Sequence, residues 1–368
     1  LRVSGQKETL FAQVMRALEE GTVGNGEFEE WLTDQIEHGH NRQLFFSHLT
    51  EDCARGLSNI VNVRSCLARA ELPTNDFSNI LTTLLPKERT LTYLKIITHE
   101  HMVSQIKLCF SSTIELEPIE PEGPPRFETD FAWAIISPPA RSLCIKVRPR
   151  GNQIQAQQQA QFTFIAVREL LNNIFNFSYM SAGHFKVVLY NIFKSLTAAA
   201  ELPYQRRLLP FNTDILEFTT KLSRSLGLPS PTSPVDIPRR ISKLFERALI
   251  QYEFDQFRSS GEGKRGIIDR FYYSDRTGAQ VTARAPEDEG IELADIYFDT
   301  RDSIDKLRTF DKLWVTWFRR NSDETHSVRT RLEAHYDYYV VHFYSYLFRE
   351  VEDYVLREVR SFESMGLE

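Results

Sequence analysis

The sequence predicts an α+β protein that is predominantly helical. It has a helical N-terminal domain, a small mixed or antiparallel sheet in the middle, a second β-patch and a long C-terminal helix. Three observations predict this. Residues 1–100 repeat apolar side chains at helical spacing, as in Leu10, Phe11, Val14, Met15 and Leu18. Residues 103–147 change to β-branched and aromatic runs in which Phe131, Trp133 and Ile135 alternate. Residues 328–362 return an apolar side chain every three or four positions, from Val328 through Phe343 to Phe362.

The elements follow in order. Gly21 and Gly24-Asn25-Gly26 end the first helix, and a second carries Phe28, Trp31, Leu32 and Ile36 as far as Gly39. Short helices are expected over 43–49, 53–70 and 76–85, the last set off by Pro73 and Pro86. Short connections of this kind describe a helical bundle suited to docking. Strands are expected over 103–116, 127–136 and 141–147, with an acidic, proline-rich loop at 118–125 and a turn at Pro138-Pro139. A helix then runs through 155–175. Residues 185–193 fit a strand or a helix equally, because periodicity does not separate the two in so short a run.

Residues 216–256 read as helical around a Pro229-Ser230-Pro231-Thr232-Ser233-Pro234 hinge, and Gly261-Glu262-Gly263 marks another break. Segments 271–274 and 279–284 flank Asp275-Arg276-Thr277-Gly278, which suits a hairpin turn. Strands are expected at 291–298 and 313–318. The terminal helix would be about 50 Å long at 1.5 Å per residue. The domains are therefore placed at 1–100, 101–200, 201–260 and 261–368.

An apolar fraction of 42% and a charged fraction of 26% suit a soluble globular chain with a buried core. The 26 Phe and 14 Tyr point to aromatic-filled cores or interfaces. A net charge of −6 argues against coating nucleic acid through bulk charge. No apolar run reaches the roughly 18 residues of a membrane helix, and no signal-peptide pattern precedes the first helix. The chain opens on Leu1, which leaves room for a leader or upstream domain. Cys53, Cys66, Cys109 and Cys144 form no Cys-x-x-Cys pair, so they are read as free thiols of a reducing, intracellular (cytoplasmic or nuclear) protein.

Catalytic signals are sparse. No nucleophile elbow, Walker loop or dinucleotide fingerprint occurs. His99-Glu100-His101 with Cys109 offers zinc-ligand chemistry without an evident fourth ligand, and is read as surface histidines at a junction. His38 and His40 flank Gly39 and are read the same way. Glu292, Asp295, Asp299 and Asp302 form an acidic run whose target is a metal or a basic partner, unless it is a solvated face.

Asp130 on one strand and Lys146 on the next, followed by a Gln-bearing helix, resemble the core of the PD-(D/E)xK nuclease superfamily. The resemblance implies nucleic-acid cleavage by a divalent metal such as magnesium held between carboxylates, with a lysine stabilising developing charge. Cys144 stands where that pattern has its Glu, and Glu128, two residues before Asp130 on the same strand face, is the substitute. The candidate catalytic residues are thus Glu128, Asp130 and Lys146. Short basic groups (Lys146-Val147-Arg148-Pro149-Arg150, Arg206-Arg207, Arg239-Arg240 with Lys243, Arg319-Arg320) supply a nucleic-acid groove if folding gathers them.

The C-terminal segment places Tyr336, Tyr338, Tyr339, Phe343, Tyr344, Tyr346 and Phe348 on more than one helical stripe, for this chain's own core or for a partner. The function expected is a non-catalytic protein-interaction subunit of an intracellular multi-protein assembly, without a cofactor. Its binding residues are Tyr336, Tyr339, Phe343, Tyr346, Arg148 and Arg150. The alternative is a nucleic-acid-binding or nucleic-acid-cleaving protein with the degenerate nuclease-like core.

Overall fold

A computed structural model describes residues 4–118, 123–151, 159–228, 230–232, 236–253, 264–274, 278–286, 289–320 and 325–363. The Ile119–Glu122 part of the acidic loop, most of the Gln-rich segment, part of the 229–234 hinge, Gly261–Gly263 and the Asp275–Thr277 turn lie outside them. The predominantly helical reading is overturned: the chain is 45% helix but 31% strand, and the paired strands run antiparallel. It divides into two compact units, one of residues 1–182 and 335–352, the other of residues 183–334 and 353–368.

The first unit contains α1 (Ser4–Glu19), α2 (Asn25–Glu37), β1 (Gly39–His48), α3 (Glu51–Leu57), α4 (Ile60–Arg69), β2 (Phe77–Ser78), β3 (Thr90–His99), β4 (Met102–Leu116), β5 (Arg126–Ser137), β6 (Ser142–Val147) and α5 (Ala160–Phe175). A late strand, β11 (Tyr339–Leu347), completes it. Its seven strands lie in the order β2-β3-β4-β5-β6-β1-β11. The expected N-terminal bundle is therefore interrupted by strands. β1 sits between β6 and β11, and Leu44, Phe45, Phe46 and Ser47 are all buried. A central strand covered on both faces loses its period-two signature, which is why this run read as a short helix.

One face of this sheet packs on α4 and α5, where Phe45 stacks on Phe164 at 4.4 Å between centroids, among Leu67, Phe110, Ala132, Ile145 and Leu171. The other face holds Cys109 and Trp133 with Tyr93, Ile80 and Ile36 of α2. Asn59 starts α4 by accepting a 2.9 Å hydrogen bond from Val61 N–H, the role a short polar side chain plays at a helix N-cap. The four cysteines are free thiols.

The second unit contains α6 (Phe185–Leu208), α7 (Asn212–Ser225), α8 (Ile237–Tyr252), β7 (Gly266–Ser274), β8 (Gln280–Arg284), α9 (Asp295–Leu307), β9 (Lys312–Arg320) and β10 (Thr325–Ala334). Its strands lie in the order β10-β9-β7-β8. Phe193, Phe271 and Phe310 meet at its centre with centroids 4.8–5.7 Å apart. Residues 185–193 resolve as helix. The strand expected at 291–298 is instead a short 3-10 turn followed by the start of α9.

The long terminal helix does not exist. Its first two thirds are β10 and β11, and only α10 (Arg349–Glu363) is helical, about 22 Å long. In β10, Val328, Thr330, Leu332 and Ala334 are buried along one face, with Glu333 buried on the other; in β11, Tyr339 to Phe343 are buried without a break. Together these two patterns imitate a three-to-four-residue repeat. Among the described residues, no helix is long and apolar enough to cross a membrane.

Candidate functional site

Lys146 and Asp130 are not brought together. Antiparallel pairing sets Lys146 opposite Trp133, so side-chain alternation puts Asp130 on the other face of β5. Lys146 is fully enclosed and bonds Glu37 at 2.7 Å and Glu352 at 2.8 Å; Lys107 reaches the other Glu37 oxygen at 2.8 Å. Burial pushes the Glu37 carboxyl up, but Lys146 and then Lys107 outweigh it and bring it down to about 2. Lys146 is held above its ordinary range, because Glu352 and Glu37 overcome the burial that opposes its charge. A lysine clamped between two carboxylates is a structural cation and has no open side for substrate.

Asp34, Glu37 and His38 bring ligand atoms within 4.8 Å of one another, the one such grouping among the described residues. Both Glu37 oxygens already face ammonium groups, so a metal ion there would compete with two resident cations. His99 closes β3, while Glu100 and His101 form the tight β3–β4 turn with φ of +50° and +66°. Cys109 lies seven residues along β4 from the Met102 that pairs with His99, more than 20 Å away at strand rise, so the zinc grouping does not assemble. Glu128 and Asp130 do converge, but on Arg150, at 2.5 and 3.5 Å.

The acidic run finds its partners inside the second unit. Glu292 takes Lys264 at 2.5 Å, Asp295 and Asp299 take Arg247 at 3.0 and 2.7 Å, and Asp302 takes Lys243 at 2.5 Å and Arg240 at 3.4 Å. Arg239 reaches Asp305 at 2.9 Å. The basic group 239–243 is therefore spent on α9, and Arg207 is spent on Glu253 at 2.8 Å. Deeper in, Arg301 of α9 bonds Glu201 of α6 at 2.6 Å and Glu246 of α8 at 3.1 Å.

These pairs orient α8 in an unusual way. At 100° per residue, Arg239, Lys243, Glu246, Arg247 and Ile250 share its inner side. Ile237, Ile241, Leu244, Phe245, Ala248 and Tyr252 share the opposite side, where Leu244, Phe245 and Tyr252 are 65%, 53% and 89% exposed. Asp236 caps the helix by accepting from Arg239 N–H at 3.1 Å and so fixes where that pattern begins. The neighbouring α7 buries Ile215, Thr219 and Ser223 and leaves Leu216, Phe218 and Leu222 exposed. Sequence reading missed this face because it took 216–256 as helical and assigned no face to its apolar positions. The signal was available in the acidic spacing of α9 matched to the basic spacing of α8.

The predicted aromatic binding residues divide. Tyr339 and Phe343 are core residues of β11, Tyr336 is exposed before it, and Tyr346 donates to Gln35 Oε1 at 2.7 Å. Among the basic pair, Arg148 is exposed and Arg150 is engaged. Compared with known protein families and with curated proteins, the chain matches none.

Proposed function

We propose that the chain is a non-catalytic interaction subunit that binds protein through the outer face of α7 and α8. The observation that supports this is the reversed amphipathicity of α8, which spends its charges on its own unit and turns its apolar residues outward. Taking about 200 Å² per large side chain, Leu244, Phe245 and Tyr252 on the outer side of α8 leave roughly 400 Å² of apolar surface in water. That is the size of the largest patch on a typical monomer, about 300–600 Å², which is often functional. The occupant is a second copy of this chain, docking the same face about a twofold axis, because such a patch is its own apolar complement.

Sedimentation velocity from about 1 to 100 μM checks this. A dimer is expected, and the double variant Leu244→Glu, Phe245→Glu is expected to sediment as a folded monomer. A wild-type monomer across that range removes the proposal, as does a dimer indifferent to the double variant.

A further inference from the structure

Around Asp130, the first unit gathers four arginines from three segments of the chain. Ser112 pairs with Asp130, and Thr90 pairs with Ser111, so Arg89 enters β3 in line with the same row. On the other side, Gln43 pairs with Val147, which sets Arg42 opposite Arg148 one step further along. Arg150 follows and touches Asp130 and Glu128. Register puts Arg42 and Arg148 on the Lys146 face and Arg89 with Asp130 on the other, but β6 ends at Val147, and past that end Arg150, Arg42, Arg89 and Arg148 are all charged neighbours of the Asp130 carboxylate.

Among the described residues the cluster is short of acceptors. Arg42 is 9% exposed, and although it donates to the Glu37 and Ile36 carbonyls at 3.3 and 2.9 Å, its Nη1 has no partner among the described residues. The same holds for Arg89 Nη1 and Arg150 Nε, both shut away from solvent. A buried guanidinium N–H without an acceptor is costly, and such groups are ordinarily satisfied by a carboxylate or a phosphate. Arg126 also reaches Glu128 at 3.6 Å, so among the described residues five guanidinium groups share two carboxylates and positive charge is in excess. Burial, then repulsion from Arg148, brings Arg42 down to about 10, in keeping with crowded cations.

We infer that this arginine cluster is a binding site for a phosphoryl dianion, with Arg42, Arg89 and Arg150 donating their unpaired N–H groups and Arg148 closing the solvent side. A dianion offsets more of the excess charge than a single carboxylate, and its oxygens match a fork of several N–H donors better. The site stands apart from the α7–α8 face and does not depend on it.

Thermal unfolding in rising inorganic phosphate, against sodium chloride at matched ionic strength, tests the inference. A saturable rise in Tm with phosphate and none with chloride is expected, since a ligand of the folded state stabilises by mass action. AMP and adenosine form the second arm. A rise with AMP but not adenosine assigns the phosphoryl group as the recognised part, and a lower half-saturation for AMP than for phosphate makes a nucleotide the source. Exposed Arg148→Gln, which leaves the buried side chains in place, is expected to raise the half-saturating concentration at least about tenfold. Equal response to phosphate and chloride overturns the site, as does an unchanged half-saturation in Arg148→Gln and Arg89→Gln.

Discussion

Lys146 and Glu37 stand 109 residues apart in the chain and meet at 2.7 Å inside the first unit. One comes from β6 and the other from the last turn of α2, and Glu352 closes the group from the start of α10 at 2.8 Å. The contact ties an N-terminal helix and a C-terminal helix to the same strand. Its strength depends on every member being present, because a charge in so enclosed a place has no water to turn to.

Replacing Lys146 with Met therefore removes a partner from two buried carboxylates at once. Urea denaturation of Lys146→Met is expected to show a loss of about 3–5 kcal/mol. The triple variant Glu37→Gln, Lys146→Met, Glu352→Gln is expected to regain part of that loss. A single variant within about 1 kcal/mol of the parent would show that the group carries no such strain.

Glu37 also makes stability depend on acid. Its carboxyl is depressed from an ordinary 4.5 to about 2 in the folded chain. Between those values the unfolded chain takes up a proton that the folded chain refuses, so the stability from this group is present above pH 4.5 and is lost toward pH 2. The contribution is on the order of 3 kcal/mol. Denaturation midpoints between pH 6 and 2 are expected to fall more steeply in the parent than in Glu37→Gln.

The two deepest tryptophans differ in a way that mutation can read. Trp317 donates its indole N–H to Thr330 Oγ1 at 2.9 Å, whereas the Trp133 indole N–H is buried without an acceptor among the described residues. Trp133→Phe discards an unsatisfied donor, while Trp317→Phe breaks a made bond. Trp317→Phe is expected to be the costlier by about 1 kcal/mol in equilibrium unfolding, and the reverse order would contradict the assignment.

In the second unit, Arg301 holds Glu201 and Glu246 together from α9, with the Tyr297 hydroxyl donating to Glu201. Arg301→Leu leaves both carboxylates buried without their cation and is expected to cost about 3–5 kcal/mol. Because this group sets the inward side of α8, the variant is also expected to weaken self-association measured by sedimentation.

Some of this was legible in the residues alone. The hairpin segments around 271–284, the strand at 313–318 and the alternation of Phe131, Trp133 and Ile135 follow from period-two spacing where one sheet face is covered differently from the other. Free cysteines were legible from their spacing. Asp130, Arg148 and Arg150 stood out as charges inside an apolar strand region, but their shared surroundings did not show. Arg42 and Arg89 gave no signal, because nothing in a linear order says that β1 and the start of β3 flank the same strand end.

What the sequence by itself determined is the local chemistry: which runs are apolar, where turns and caps fall, and which charges lack neighbours of opposite sign. Only the tertiary structure decided which face each run buries. β1 and β11 are covered on both sides, so their side chains lose the alternation that marks a strand, and a helix was read in its place. α8 sits against the acidic face of α9, so the pairing of charges outweighed the usual inward turn of apolar residues and left Leu244, Phe245 and Tyr252 in water. In both cases the deciding interaction joins residues far apart in the chain, and only folding brings them together.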